Sequence, residues 1–131
     1  MDVTVAIDSV DPDRLARFWT EALGYARMRG WGPYVVLAPD RRGGATPAEG
    51  PALVLQKVPE GKVGKNRLHL DLHVPNEDAE RDRLIRLGAT LVQPEAVQEG
   101  EFRWWVMADP EGNEFCVMRP DWYLGQPAPR K

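Results

Sequence analysis

From Val3 to Asp8 the chain alternates, with Val3, Val5 and Ile7 on one side and Thr4, Ala6 and Asp8 on the other. That period of two predicts a half-buried strand. Asp11-Pro12 follows as a helix cap and a proline at the first helical position, where its missing N–H costs nothing. Leu15, Phe18, Trp19, Ala22 and Leu23 then recur at helical spacing, and Gly24 suits the left-handed cap. Three further strands are predicted near Tyr25 to Met28, Tyr34 to Ala38 and Ala52 to Val58. Gly30, Gly32 and Pro33 break the first pair. The stretch from Pro39 to Pro51, rich in Gly, Pro and charge, separates the second pair and is expected to be mobile.

The cycle then restarts. Leu68, Leu70, Leu72 and Val74 alternate against His69, Asp71 and His73. Pro75-Asn76 caps a charged helix whose apolar side is Leu84, Ile85 and Leu87 and which Gly88 ends. Strands are predicted near Ala89 to Val92, Phe102 to Met107 and Glu114 to Met118. The last two are joined by Asp109-Pro110-Glu111-Gly112, with Pro in a turn's second position and Gly in its fourth.

The two halves overlay. Val5 matches Leu70 and Ile7 matches Leu72, while Thr4, Ala6 and Asp8 match His69, Asp71 and His73 on the other face. A repeat of about half the chain indicates two fused copies rather than a solenoid, which needs at least three units. The chain therefore reads as strand, helix and three strands, twice over.

Composition narrows the class. A chain of 131 residues, 43% hydrophobic, supports one core-bearing domain and not two. We place it at 1–125, with module one at about 1–60, module two at about 66–120 and a flexible tail at 126–131. The 17 basic and 20 acidic residues are interleaved, without the basic stripe that nucleic acid requires. No apolar run approaches the roughly 20 residues of a membrane span, and the start, MDVTVAIDSVDPD, lacks a basic segment and a long apolar centre. These features predict a cytoplasmic protein with neither nucleic acid nor membrane as partner. The one cysteine, Cys116, rules out an internal disulfide and a multi-cysteine zinc cluster.

Three segments carry a family resemblance. DPDRLARFWTEALGY (Asp11 to Tyr25), KNRLHLDLHV (Lys65 to Val74) and ADPEGNEFCV (Ala108 to Val117) resemble, in order and spacing, segments of the vicinal oxygen chelate superfamily. That superfamily includes glyoxalase I, bleomycin-resistance proteins and extradiol dioxygenases, and this chain is most similar to its glyoxalase-like subgroup. The resemblance implies an α+β fold of two tandem βαβββ modules forming a cupped mixed sheet around a pocket. It also implies metal ligands on the first and last strands of each module, usually His, Gln or Glu. Carried over by position, these fall on Thr4, Gln56, His69 and near Cys116.

Thr, Gln, His and Cys are not the usual set. Only His69 and Cys116 qualify without argument as ligands in zinc or non-haem iron sites, with Asp71 or Glu114 as a third. The expectation is therefore no metal cofactor. If a divalent ion is bound, the candidates are His69, Cys116 and Gln56.

The alternating face of His69, Asp71 and His73 reads either as a polar pocket wall or as a solvated exterior. The resemblance turns His69 toward the pocket. Cys116 is either a small buried hydrophobe or one half of a Cys–His pair, and Glu114, among apolar neighbours, needs water or a partner. Trp104-Trp105 puts one indole on each face of its strand, one for the core and one free to stack on a planar ligand. Trp31 and Tyr34 flank the Gly-Pro turn as a possible lid. Arg81, Arg83 and Arg86 read as a solvated helix face.

Two functions follow as expectations. The first is a binding protein for a small, partly aromatic organic molecule, using His69, Asp71, Glu114, Cys116, Gln56 and Trp104. The second is a metal-dependent or acid–base enzyme of lyase, isomerase or dioxygenase type, with His69 and Glu114 as catalytic candidates and Cys116 as a further partner of His69. By resemblance, the chain forms a homodimer.

Overall fold

The computed structural model describes residues 1–40, 50–100 and 102–119. Most of the Pro39 to Pro51 link, expected to be mobile, and the tail at 126–131 lie outside these residues. The elements are β1 (Thr4–Ser9), α1 (Pro12–Leu23), β2 (Tyr25–Trp31), β3 (Tyr34–Pro39), β4 (Ala52–Lys57), β5 (Leu70–His73), α2 (Glu77–Leu87), β6 (Thr90–Leu91), β7 (Val97–Glu99), β8 (Phe102–Ala108) and β9 (Glu114–Met118). This is a mixed α+β fold with two helices and two mixed sheets, each sheet opening on a strand followed by a helix. The chain groups into two compact units, divided after Lys65, with Asp109–Asn113 belonging to the first.

The first unit has strand order β1-β4-β3-β2, with β1 and β4 parallel and the other pairs antiparallel. Asp11 caps α1 by accepting from the Arg14 N–H at 3.2 Å, and Gly24 closes it at φ 68°. That left-handed conformation costs a β-carbon dearly, hence glycine. Helix α1 packs on β2, β3 and β4, burying Leu15, Phe18 and Trp19 with Leu37, Leu53 and Leu55. Phe18 meets Trp19 edge to face, ring centres 5.0 Å apart.

The Asp109–Asn113 turn completes this core. The Trp19 Nε1–H donates to Asp109 Oδ2 at 3.0 Å, and Asp109 Oδ1 accepts from the Glu111 and Asn113 N–H groups at 2.9 and 3.0 Å. A buried carboxylate is tolerated only with its oxygens filled in this way. Glu111 in turn accepts from the Ser9 hydroxyl and from the Val10 N–H.

The second unit has strand order β5-β9-β8-β6, with β7 also on β8 and β5 parallel to β9. Asn76 caps α2 through the Ala79 N–H at 3.0 Å. Leu84, Trp105, Met107, Phe115 and Val117 form the core.

Three local expectations change here. The predicted strand from Leu68 begins instead at Leu70, because its partner β9 starts at Glu114 and leaves Leu68 without a ladder neighbour; Leu68 is 88% exposed. Ile85, expected on the apolar side of α2, is 41% exposed. Strand β7 was not anticipated, since three residues are too few to show alternation.

Candidate functional site

Strand pairing sorts the second sheet into two faces. Leu70, Leu72, Phe115, Val117, Trp105 and Met107 point one way, and α2 packs on that side. Asp71, His73, Glu114, Cys116, Met118, Val106 and Trp104 point the other way. Asp71 stands directly opposite Cys116, Val106 flanks Cys116 on β8, and Trp104 flanks Met118.

His69, just ahead of β5, joins this second face. Its Nε2 lies 3.2 Å from Asp71 Oδ1, with both side chains about half exposed. The ligand atoms of His69, Asp71 and Cys116 all lie within 4.8 Å of one another. At that separation His69 Nε2 either donates its proton to the Asp71 carboxylate or, with the proton on Nδ1, stands beside it as a ligand atom, and the buried Cys116 sulfur lies within 4.8 Å of both.

The sequence candidates divide accordingly. His69, Asp71 and Cys116 come together, with Trp104 half-buried on the same face. Glu114 shares the face but not the cluster; it sits opposite Ala108, and its carbonyl accepts from Asn66 Nδ2 at 3.4 Å. His73, opposite Met118, lies at the far end of β5. Gln56 and Thr4 belong to the first sheet, where Gln56 is half-buried between Asp8 and Tyr34 and Thr4 is exposed opposite Ala52.

The family resemblance implies a divalent metal, and the donors can be tested against it. An imidazole nitrogen, a carboxylate oxygen and a thiol sulfur make a three-ligand set of the kind that leaves a fourth position open. They fit. His69, Asp71 and Cys116 would hold such an ion, which when bound supplies Lewis acidity toward a ligand oxygen. The expectation of no metal weighed Asp71 or Glu114 as a third ligand beside His69 and Cys116; the register of β5 on β9 sets Asp71 opposite Cys116.

The helix side of this sheet carries a different cluster. Arg81 stacks 4.4 Å from the Trp105 ring centre and Arg103 lies 5.3 Å from it. The Trp105 Nε1–H donates to Asp78 at 2.8 Å, and Arg103 donates to Asp78 at 2.7 Å and to buried Glu77 at 3.0 Å. Hydrogen bonds from Arg103 and then Trp105 hold the Asp78 carboxyl below its ordinary pKa. Arg119 Nε lies 3.3 Å from the other Glu77 oxygen. The solvated-face reading therefore fails for Arg81. Its charge alternates along the helix, but its aliphatic stem and guanidinium cover an indole.

The first unit contains a cavity of about 630 Å³ between the start of α1 and the β2–β3 hairpin, lined among others by Val10, Asp13, Arg27, Trp31, Tyr34 and Lys57. Trp31, 76% exposed, meets Tyr34 at 5.0 Å between ring centres. Arg27 pairs with Asp13 at 2.7 Å. The aromatic pair was legible in sequence; Arg27 and Lys57 carried no signal there.

Comparison with known proteins follows the fold. The element order is that of two tandem βαβββ modules, with β7 as an added strand in the second. The model of the glyoxalase-like domain matches residues 4–118, and the chain belongs to that family. No curated protein matches the chain.

Solved structures do match. A glyoxalase/bleomycin resistance protein/dioxygenase family enzyme from Burkholderia phytofirmans PsJN is 17% identical, covers 91% of this chain and 98% of its own, and gives a TM-score of 0.72. A mutant fosfomycin resistance protein from Listeria monocytogenes, complexed with manganese(II) and a dihydroxypropylphosphonic acid, is 14% identical over 92% of this chain and 90% of its own, at a TM-score of 0.72. The bleomycin resistance determinant encoded on transposon Tn5 is 14% identical over 92% and 98%, at 0.63. At these identities the likeness is one of fold. No helix among the described residues is long and apolar enough to cross a membrane.

Proposed function

We propose that the protein binds a small, partly aromatic organic molecule on the polar face of its second sheet. One observation carries the reading: that face bears the Trp104 indole and the apolar Val106 and Met118 on the same side as the His69–Asp71 pair, with Val106 and Asp71 flanking Cys116 and Trp104 in register with Met118 and His73. Such a combination suits a planar ligand with one polar group. The ring stacks and sheds water, while the imidazole–carboxylate pair orients the polar end. The bound phosphonic acid in the fosfomycin resistance relative, and the name of the bleomycin resistance determinant, agree with an organic ligand.

Titrating metal-free protein with a panel of aromatic acids, phenols and amines, read by tryptophan fluorescence, tests the proposal. Saturable quenching that is lost in Trp104→Phe is the expected result. Quenching that survives that substitution unchanged, or none across the panel, would overturn it.

A second reading, acid–base chemistry, is favoured by the 3.2 Å His69–Asp71 contact. There His69 moves the proton and Asp71 holds the ring. Turnover of a bound ligand that is lost in His69→Gln while binding persists would select this reading. We further read the protein as a cytoplasmic homodimer, a state that sedimentation equilibrium of the purified chain measures directly.

A further inference from the structure

We propose that His69, Asp71 and Cys116 form a three-ligand site selective for a thiophilic divalent cation of the zinc class over a hard ion such as manganese. The inference rests on reading this sheet face as the binding face, but it concerns the ion and not the organic ligand.

Geometry comes first. Ligands held tetrahedrally at about 2.0–2.3 Å from one ion stand roughly 3.3–3.8 Å from each other. His69 Nε2 and Asp71 Oδ1 are 3.2 Å apart, close to that separation before any ion arrives. The sulfur lies within 4.8 Å of both, so closing the triangle takes a shift on the order of an ångström, within the range of a side-chain adjustment.

The supports are rigid. Asp71 and Cys116 face each other across a parallel strand pair in central register, and His69 lies two residues before Asp71 on the same side. Two ligands on paired strands are held more exactly than two on loops. Cys116 is buried while His69 and Asp71 are half exposed, so an ion can enter from the solvent side and meet the thiol beneath.

Donor chemistry then selects the ion. Imidazole and carboxylate alone accept many divalent cations, manganese included. A thiolate changes the order, because sulfur favours zinc and cobalt over the oxygen-seeking ions. Binding must also deprotonate the thiol, so one proton leaves Cys116 for solvent as the metal–sulfur bond forms.

The test uses the full-length chain, reduced and stripped with a chelator, titrated with cobalt(II) and separately with manganese(II). The expected result is a near-ultraviolet thiolate-to-cobalt charge-transfer band saturating at one ion per chain, released by zinc, with about one proton set free per ion. Manganese should leave the free-ion paramagnetic signal undiminished. Cys116→Ser should lose the band, and Asp71→Asn should weaken cobalt binding by about tenfold or more, since even outer partners of a metal site are worth roughly 10–100-fold. Circular dichroism confirms that each variant is folded, and Asp71→Asn keeps the test open if Cys116→Ser is not.

Absence of the band at stoichiometric cobalt, its persistence in folded Cys116→Ser, or equal binding of manganese would overturn the proposal. Failure here leaves ligand quenching in the metal-free protein untouched, and failure of that quenching leaves the cobalt band untouched, so the two readings fall separately.

Discussion

Helices α1 and α2 occupy the same place in the repeat and are held by different forces. Along α1, Leu15, Phe18 and Trp19 are all but sealed from water, and burying side chains of that size contributes roughly 1.5–3 kcal/mol each. On α2 only Leu84 is an equally buried apolar side chain. Its remaining anchors are polar: Glu77 and Asp78 in the first turn hold Arg103 and the Trp105 indole, and Arg81 covers the ring. One repeat position can thus be filled by packing or by a charge-assisted network. The difference teaches that the second helix should respond to salt and acid more strongly than the first.

Four experiments test this contrast, from largest effect to smallest. Trp19→Ala removes the main buried ring of α1 and the donor to Asp109, and should cost about 3–5 kcal/mol in denaturant unfolding. A loss below 1 kcal/mol would mean that α1 is not packing-dominated. Arg103→Met keeps the stem but strips a donor from buried Glu77 and from Asp78, and should cost about 2 kcal/mol, less at high salt. An unchanged midpoint would assign α2 to Leu84 alone.

The third experiment varies pH. The folded Asp78 pKa is depressed, so its contribution is fully present above the unfolded value of about 3.9 and is lost as pH falls through the lower folded value. Asp78→Asn should therefore lower stability near pH 7 and flatten the acid limb below about pH 4. Asp78 is half exposed, so solvent screening keeps its share modest. An acid limb as steep as that of the parent would place the acid sensitivity elsewhere.

The smallest effects are at the caps. Asp11→Ala and Asn76→Ala should each cost about 1 kcal/mol. Hydrogen exchange separates them: loss of the Asn76 cap should fray the first turn of α2 more than loss of the Asp11 cap frays α1, whose packing extends nearer its end. Equal fraying would blunt the contrast.

Much of the fold was legible because its cues are local. Asp11-Pro12, Gly24, Asn76 and Gly88 mark helix ends through bonds that reach three or four residues, and the alternation of Leu70 and Leu72 marks a strand by itself. The extent of that strand was not legible, since Leu68 alternates equally well and is excluded only because β9 starts too late to pair with it. Arg81 shows the same limit, as a charge pattern carries no record of the indole beneath it.

The candidate site divides in the same way. Sequence alone determined two fused copies, their elements and caps, and a polar face bearing His69, Asp71 and His73, all set by neighbours a few positions apart. It left Asp71 and Glu114 as equal candidates to join His69 and Cys116. Tertiary structure decided for Asp71, because the parallel pairing of β5 on β9 puts that carboxylate opposite Cys116 and within 4.8 Å of the sulfur and of the His69 imidazole, while Glu114, at the start of β9 opposite Ala108, stays outside that cluster. Strand register is a relation between segments more than forty residues apart, which the few neighbours that set a cap or an alternation do not carry.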